Sequence, residues 1–385
     1  MNILIAIDSF KGSLTSDEAG YAAAEGIRRA CPDAVTIVRP LADGGEGTVE
    51  TLAAVLGGEL RRIRVSDPLG RPIESRYALC PSGTSSNIIT AVIEMSAAAG
   101  LPLLKPDERD PLITTTYGVG ELIADAVSQG ARDFIIGIGG SATNDGGAGM
   151  LTALGFELTD SGGSTIAPGA RGLSQLRKIG CEHILPGLRE CRFRVACDVK
   201  NPLCGESGCS AVFAPQKGAA PDTIAPMDGW LADFAALAKL SFPDADPELP
   251  GSGAAGGLGF ALRTFLSATL ESGAGLILDA SGFEELVMGA DIVVTGEGRL
   301  DAQTIMGKAP AAVAALAKKY EKPCIALSGC VSEEAGICNQ YGIDAFFPAL
   351  RQICTADEAM EPSAARANLA DAAEQVFRLI SLFKQ

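Results

Sequence analysis

The chain has one histidine, His183, among 385 residues. That scarcity excludes a multi-histidine metal site and makes any histidine-based nucleophile system depend on a single residue. His183 lies in Cys181-Glu182-His183-Ile184-Leu185, a segment without glycine-rich support, and is read as a bystander to catalysis. Cysteine is plentiful, at 11, but no CxxC pair exists, and the spacing of Cys204 to Cys209 does not resemble a zinc ligand set. An odd count with no secretion signal points to reduced thiols and a cytoplasmic protein, most of them small apolar core residues. No apolar run approaches the ~20 residues needed to span a bilayer. The opening Met1-Asn2-Ile3-Leu4-Ile5-Ala6-Ile7-Asp8 has no basic region and meets an acid at once, so it reads as a first strand and not a signal peptide. Positive charge is also in deficit: the formal net charge is −16. Such a surface repels nucleic acid and anionic membranes, so any anionic substrate needs cations gathered locally in a cleft. No internal repeat or low-complexity segment is present.

Hydrophobic residues make up 47% and charged residues 20%, the balance of an ordinary globular protein long enough for two domains. Residues 3–7 form a β-rich run. Thr15-Ser16-Asp17-Glu18 then caps a helix through Ala30. A second strand, 35–38, leads through Pro40-Leu41-Ala42-Asp43-Gly44-Gly45-Glu46-Gly47 to a helix over 48–56. This is βαβα, the start of a parallel sheet. The pattern then changes to antiparallel strands over 60–65, 73–79 and 88–94, with turns at Pro68-Leu69-Gly70 and Pro81-Ser82-Gly83. A helix over 117–129 precedes a buried strand, Phe134-Ile135-Ile136. Residues 155–200 give a weaker pattern, with a strand at 194–197. Helices follow over 224–240 and 258–270, separated by a Pro/Gly-rich loop at 243–257. From Asp291 the βα pattern returns: strands at 292–294, 325–327 and 345–347, and helices over 309–320 and 363–383. The expected architecture is α/β with two domains. One is a discontinuous, three-layer, parallel-sheet domain of Rossmann or flavodoxin-like type, residues 1–62 plus 288–385. The other is a mixed α/β domain inserted at 63–287.

Chemistry-bearing residues follow the predicted strands. Gly137-Ile-Gly139-Gly140-Ser141-Ala-Thr143-Asn144-Asp145-Gly146-Gly147-Ala-Gly149 joins the central strand to a helix. Glycines, hydroxyls and backbone N–H groups suit a phosphate cradle, and Asp145 adds a carboxylate for a metal or a proton. The loop is neither a GxxxxGK[ST] P-loop nor a GxGxxG fingerprint. In an open parallel sheet, ligands bind beyond the carboxyl ends of the strands. Asp8 and Lys11, Asp43 within its glycines, and Glu297, Arg299 and Asp301 all occupy such positions. Phosphoryl transfer needs that inventory of cations, N–H groups and carboxylates. Asp198 and Lys200 follow another strand, Lys217 sits in Gln216-Lys217-Gly218, and Lys308 opens a helix where an anionic ligand explains it better than stability does.

These stretches together resemble the bacterial glycerate kinase family of the glycerate 2-kinase type. The resemblance is carried by Asp8-Ser-Phe-Lys-Gly12, Asp43-Gly-Gly-Glu-Gly-Thr48, the 137–147 loop, Asp198-Val-Lys-Asn-Pro-Leu203, Phe213-Ala-Pro-Gln-Lys-Gly218, Thr295-Gly-Glu-Gly-Arg-Leu-Asp-Ala-Gln-Thr304 and Gly307-Lys308. It implies ATP-dependent phosphorylation of D-glycerate to 2-phosphoglycerate with Mg²⁺, in a cleft between two α/β domains. It does not assign residue roles. On our own reading, Asp198 is the base orienting the hydroxyl and Asp43 a site organiser, both also metal ligands, and Lys11 and Lys308 complete the catalytic set. Asp8, Gly139, Gly140, Ser141, Asn144, Asp145, Gly146, Lys200, Lys217, Glu297, Arg299 and Asp301 are the substrate- and nucleotide-binding candidates. The residues alone leave C2 and C3 phosphorylation open, and likewise the oligomeric state, a homodimer included. The competing classes are a non-catalytic nucleotide or organic-acid binding protein and a dinucleotide-dependent oxidoreductase. The second lacks GxGxxG after the first strand and the acid that should follow it.

Overall fold

A computed structural model describes residues 1–41, 44–45, 47–81 and 88–383. Eleven strands build two main sheets: β1 (Asn2–Ile7), β2 (Val35–Val38), β3 (Glu59–Ser66), β4 (Pro72–Pro81), β5 (Ile89–Glu94), β6 (Ala131–Gly137), β7 (Arg192–Ala196), β8 (Thr269–Glu271), β9 (Ile292–Gly296), β10 (Cys324–Ser328) and β11 (Ala345–Pro348). The helices that matter below are α1 (Ser16–Ala30), α2 (Thr48–Leu56), α3 (Tyr117–Ser128), α4 (Pro221–Lys239), α5 (Ala254–Leu266), α6 (Gly273–Ala280), α7 (Phe283–Gly289), α8 (Ala309–Lys319) and α9 (Pro362–Leu382). The chain divides into two compact units, Met1–Asp43 with Gly273–Gln385, and Gly44–Ser272. Both joins fall earlier in the chain than the 62/63 and 287/288 boundaries expected from the strand pattern. The reason is packing: α2 lies on β4 and β5 of the second unit, and α6 packs with α8 of the first.

In the first unit all five strands are parallel, in the order β11-β10-β9-β1-β2. Along β1, Ile3, Ile5 and Ile7 join one core with Ala19, Ala23 and Ile27 of α1 and Leu369, Ala373 and Phe377 of α9. Leu4 and Ala6 join the opposite core with Leu278, Phe283, Val313 and Ala317. A strand buried on both faces must be apolar at every position, which is why β1 reads as an unbroken hydrophobic run. Helices on both faces make the expected three layers. Counted within this unit the strand order is 2-1-3-4-5, the flavodoxin-like winding, whose direction reverses between β1 and β9.

The second unit holds a six-stranded mixed sheet, β8-β7-β6-β5-β4-β3. The antiparallel reading holds for β3, β4 and β5, but β5 also pairs parallel with β6, which pairs parallel with β7. One large core backs this sheet, with Phe134 stacked on Phe193 at 4.7 Å between ring centroids. The helix expected over 258–270 begins as expected, since Ala255, Gly256 and Gly257 just before it are left-handed, but it ends earlier, at Leu266. There Ser267 turns into the left-handed region at φ 53°, and the chain continues as β8. Residues 273–289, unassigned from sequence, form α6 and α7. No helix among the described residues is long and apolar enough to cross a membrane.

Candidate active site

The reversal of the first sheet leaves a crevice at the carboxyl ends of β1 and β9. A cavity of about 670 Å³ opens there. Asp8 and Lys11 enter it from the loop after β1, and Glu297, Arg299, Asp301 and Lys308 from the segment after β9. Those six are the first-unit residues expected from the sequence apart from Asp43, which lies outside the described residues, and the fold gathers them on one wall. Gly329, after β10, keeps the wall tight: a Cβ there would stand 2.5 Å from the Gly298 carbonyl oxygen, so only hydrogen fits.

The charges on this wall are interlocked without being saturated. Glu297 accepts a hydrogen bond from the Thr304 hydroxyl at 2.5 Å and one from Lys308 Nζ at 3.3 Å. Burial pushes its carboxyl pKa up, opposed by Thr304 and Lys308. Lys308 Nζ also stands 3.8 Å from Asp301, and Arg299 Nε 3.6 Å from the same carboxylate. Lys11 and Arg299 are exposed, Lys308 half-buried. Lysine has three donors and arginine five, so donors remain for an incoming anion.

In the second unit, β6 and β7 end in register, Gly137 opposite Ala196, so their following loops leave the sheet side by side. The β6 loop is open at its start and buried over the rest of its length. Gly139 and Gly140 are exposed, but Ser141 and every residue from there to Ala148 is buried. Asp145 is completely buried. Its carboxylate accepts from the Thr116 N–H and hydroxyl, both at 2.8 Å, and from the Gly147 and Gly149 N–H groups, both at 3.1 Å. Burial raises its pKa, and these four donors oppose that. Asn144 donates to the Ser210 hydroxyl at 2.9 Å. Lys217 is 2% exposed and donates to Ser141 Oγ and to the Thr143 carbonyl, both at 2.7 Å. Desolvation pushes its pKa down to about 8. From the other side Ala255, Gly256 and Gly257 run through three left-handed residues, and Gly146 N–H donates to the Gly256 carbonyl at 2.9 Å. A Cβ on Gly256 would lie 2.0 Å from the Thr143 carbonyl oxygen. In this loop Gly139 and Gly140 are exposed, while Ser141, Asn144, Asp145, Gly146 and Lys217 are buried and bonded within the second unit, with Asn144 Oδ1 and Thr143 Oγ1 left without a hydrogen-bond partner.

Asp198 and Lys200, on the loop after β7, are exposed. Asp43 lies outside the described residues. His183 is on the surface, its Nδ1 2.5 Å from Glu157, and with Glu182 these make a cluster of metal-type ligands. All eleven cysteines are free thiols. The sequence reading missed the rest of the cavity lining: Phe10 and Ser13, and the stretch from Ala349 to Asn368 that includes Leu350, Met360 and Ala365. Phe10 lay in view between Asp8 and Lys11. The 349–368 stretch carries no glycine cluster to mark it, and its strand-end charge, Arg351, pairs with Asp371 and does not line the cavity.

A sequence model of the glycerate kinase family matches residues 3–381. The chain is 46% identical over 359 residues to the glycerate 2-kinase of Escherichia coli strain K12, covering 93% of each chain. It is 44% identical over 381 residues to a glycerate kinase of Haemophilus influenzae, covering 99% of each. A crystal structure from Salmonella typhimurium LT2, described as a glycerate kinase 2, matches at a TM-score of 0.90 and 43% identity, over 100% of this chain and 99% of that one. The matched span takes in the switch-point cavity of one unit and the paired loops of the other, and the chain belongs to the glycerate kinase family.

Proposed function

We propose that this glycerate kinase transfers the γ-phosphoryl group of ATP to the C2 hydroxyl of D-glycerate, giving 2-phosphoglycerate and ADP. The observation that carries the reading is the switch-point cavity, where three cations and three carboxylates share one wall. In a chain of net charge −16, that is where a polyphosphate finds positive charge. Lys11, Arg299 and Lys308 hold phosphate oxygens and stabilise the charge that shifts onto the leaving group. Asp198 takes the proton of the C2 hydroxyl as its oxygen bonds to the γ-phosphorus and the bond to ADP breaks. Lys200, two residues on and equally exposed, anchors the glycerate carboxylate; with that group held beside the base, C2 is within reach and C3 points away.

A Mg²⁺ ion takes oxygen donors only, and Asp8 and Asp301 in the cavity are carboxylates that would hold it; Asp198 has the same ligand chemistry. Both oxygens of Glu297 are already engaged, which leaves it to position Lys308. When bound, the ion supplies charge neutralisation of the phosphate oxygens. Reduced thiols and the acidic surface fit a cytoplasmic enzyme of small-molecule metabolism.

The test is incubation with ATP, Mg²⁺ and D-glycerate. ADP release is the expected result, and its absence removes the kinase reading. Adding enolase without phosphoglycerate mutase then reads the regiochemistry. Phosphoenolpyruvate formed at once marks the 2-phosphate; formation only after mutase is added marks the 3-phosphate and overturns the C2 assignment.

A further inference from the structure

The switch-point cavity has two halves of different chemistry. The strand-end half carries all of its charged lining residues. The other half is built by the stretch from Ala349 to Asn368, whose lining residues are Ala349, Leu350, Cys354, Thr355, Ala356, Ala359, Met360, Ala365 and Asn368. None of these is charged. Glycerate is a three-carbon acid with two hydroxyls and no apolar face, so it has no use for such a wall. A volume of about 670 Å³ also exceeds its needs, and lies within the ~300–1,000 Å³ typical of larger ligands.

Resting on the kinase reading above, we infer that the base of the adenine nucleotide seats in this apolar half, against Phe10, Leu350, Ala359 and Met360, with Asn368 reading its edge. A nucleotide is the one substrate of this reaction that is anionic at one end and flat and apolar at the other. The cavity has the same polarity: its cations lie at the strand ends, where the phosphates go. Two further observations agree. Leu350 and Met360 are 36% and 45% exposed, large apolar side chains left facing solvent inside a concavity, and a stacked ring would cover them. Met360 is suited to that contact, since a thioether adapts to an aromatic ring. The wall is also a built one. The Thr355 hydroxyl accepts from the Glu358 N–H at 3.3 Å while the Glu358 carboxylate accepts from the Thr355 N–H at 2.9 Å, fixing the short helix Ala356–Met360. Ala365 and Asn368 are three residues apart on α9 and so share one face. The small residue leaves room for the ring and the carboxamide offers both a donor and an acceptor, which a purine edge requires.

The experiment uses full-length enzyme and ADP as the probe. Ala359→Trp fills the apolar half without touching a charge. ADP titrated calorimetrically is expected to bind ~10-fold or more weakly to this variant, and KM for ATP to rise in step, with KM for D-glycerate within about twofold of wild type. Asn368→Asp, which removes the donor, is expected to weaken ATP use relative to GTP. If Ala359→Trp fails to fold by circular dichroism, Met360→Ala takes its place, with ADP affinity again the readout. Wild-type ADP affinity in the folded variant, or a rise in KM for glycerate alone, overturns the inference while leaving the kinase reading standing. A wild-type enzyme that releases no ADP with glycerate removes the kinase reading itself.

Discussion

Lys308 and Lys217 are both lysines near a carboxylate in a glycine-rich loop, and they have opposite fates. Lys308 lies at the edge of an open cavity, 3.3 Å from Glu297, with donors to spare. Lys217 is buried, both of its short bonds go to the β6 loop, and its pKa is driven down to about 8. The acids differ likewise. Asp301 lines the cavity, whereas the Asp145 carboxylate is consumed by Thr116, Gly147 and Gly149. What differs between the two regions is exposure: one set of charges lines an open cavity, and the other is buried within its own unit. A glycine-rich loop can be a binding device, or it can be a structural device that holds two exposed glycines at its tip.

The sharpest test of the contrast lies within the second unit, where exposed Asp198 sits on the loop next to the one holding buried Asp145. Asp198→Asn is expected to lower kcat by ~10²–10⁴-fold with an unchanged melting temperature, since an exposed side chain carries little packing. Steady-state kinetics alongside a thermal scan check it; wild-type kcat would remove Asp198 from the base role. In the first unit, Lys308→Met or Lys11→Met is expected to cut kcat/KM by ~10²-fold, again with little change in stability. Wild-type kcat/KM in both variants would mean that the open charges are a solvated face.

The buried half of the contrast should respond in stability. Asp145→Ala leaves three N–H groups and a hydroxyl without their acceptor, at a cost of about 3 kcal/mol or more, read from denaturant midpoints. A variant that stays stable yet loses activity would break the contrast and return the buried loop to the ligand.

The smallest effect concerns pH. The Lys217 amine titrates near 8 in the folded protein and near ~10.4 in the unfolded chain, so between those values the unfolded chain holds the extra proton and stability rises with pH. Below pH ~8 both states are protonated and the penalty of burying the charge is present in full. Buried thiols such as Cys209, pushed up to about 11, work the other way, because the unfolded chain loses their protons first. The informative quantity is therefore wild type minus Lys217→Met, and that difference should rise between pH ~8 and ~10. A flat difference would show that the buried amine does not titrate there.

Much of the fold was legible because its signals are local. The unbroken apolar run of β1, the Thr15–Glu18 capping box and the turn at Pro68-Leu69-Gly70 each depend on residues a few positions apart, and each formed where the sequence put it. The charged half of the cavity was legible for a related reason: in a parallel sheet, a residue just past a strand is delivered to the carboxyl edge by backbone geometry alone. Exposure is not local. Asp145 is buried against Thr116, the residue that precedes α3, and Lys217 reaches Ser141 from another part of the chain. The apolar wall was equally unreadable, because Phe10 and Asn368 come from opposite ends of the chain and each looks ordinary alone. The sequence by itself determined the elements and the places where charge meets a strand end, since those follow from backbone periodicity. Only the tertiary structure decided which charges keep free valence and which surfaces face one another, since burial and hydrogen-bond saturation are set by segments far apart in sequence.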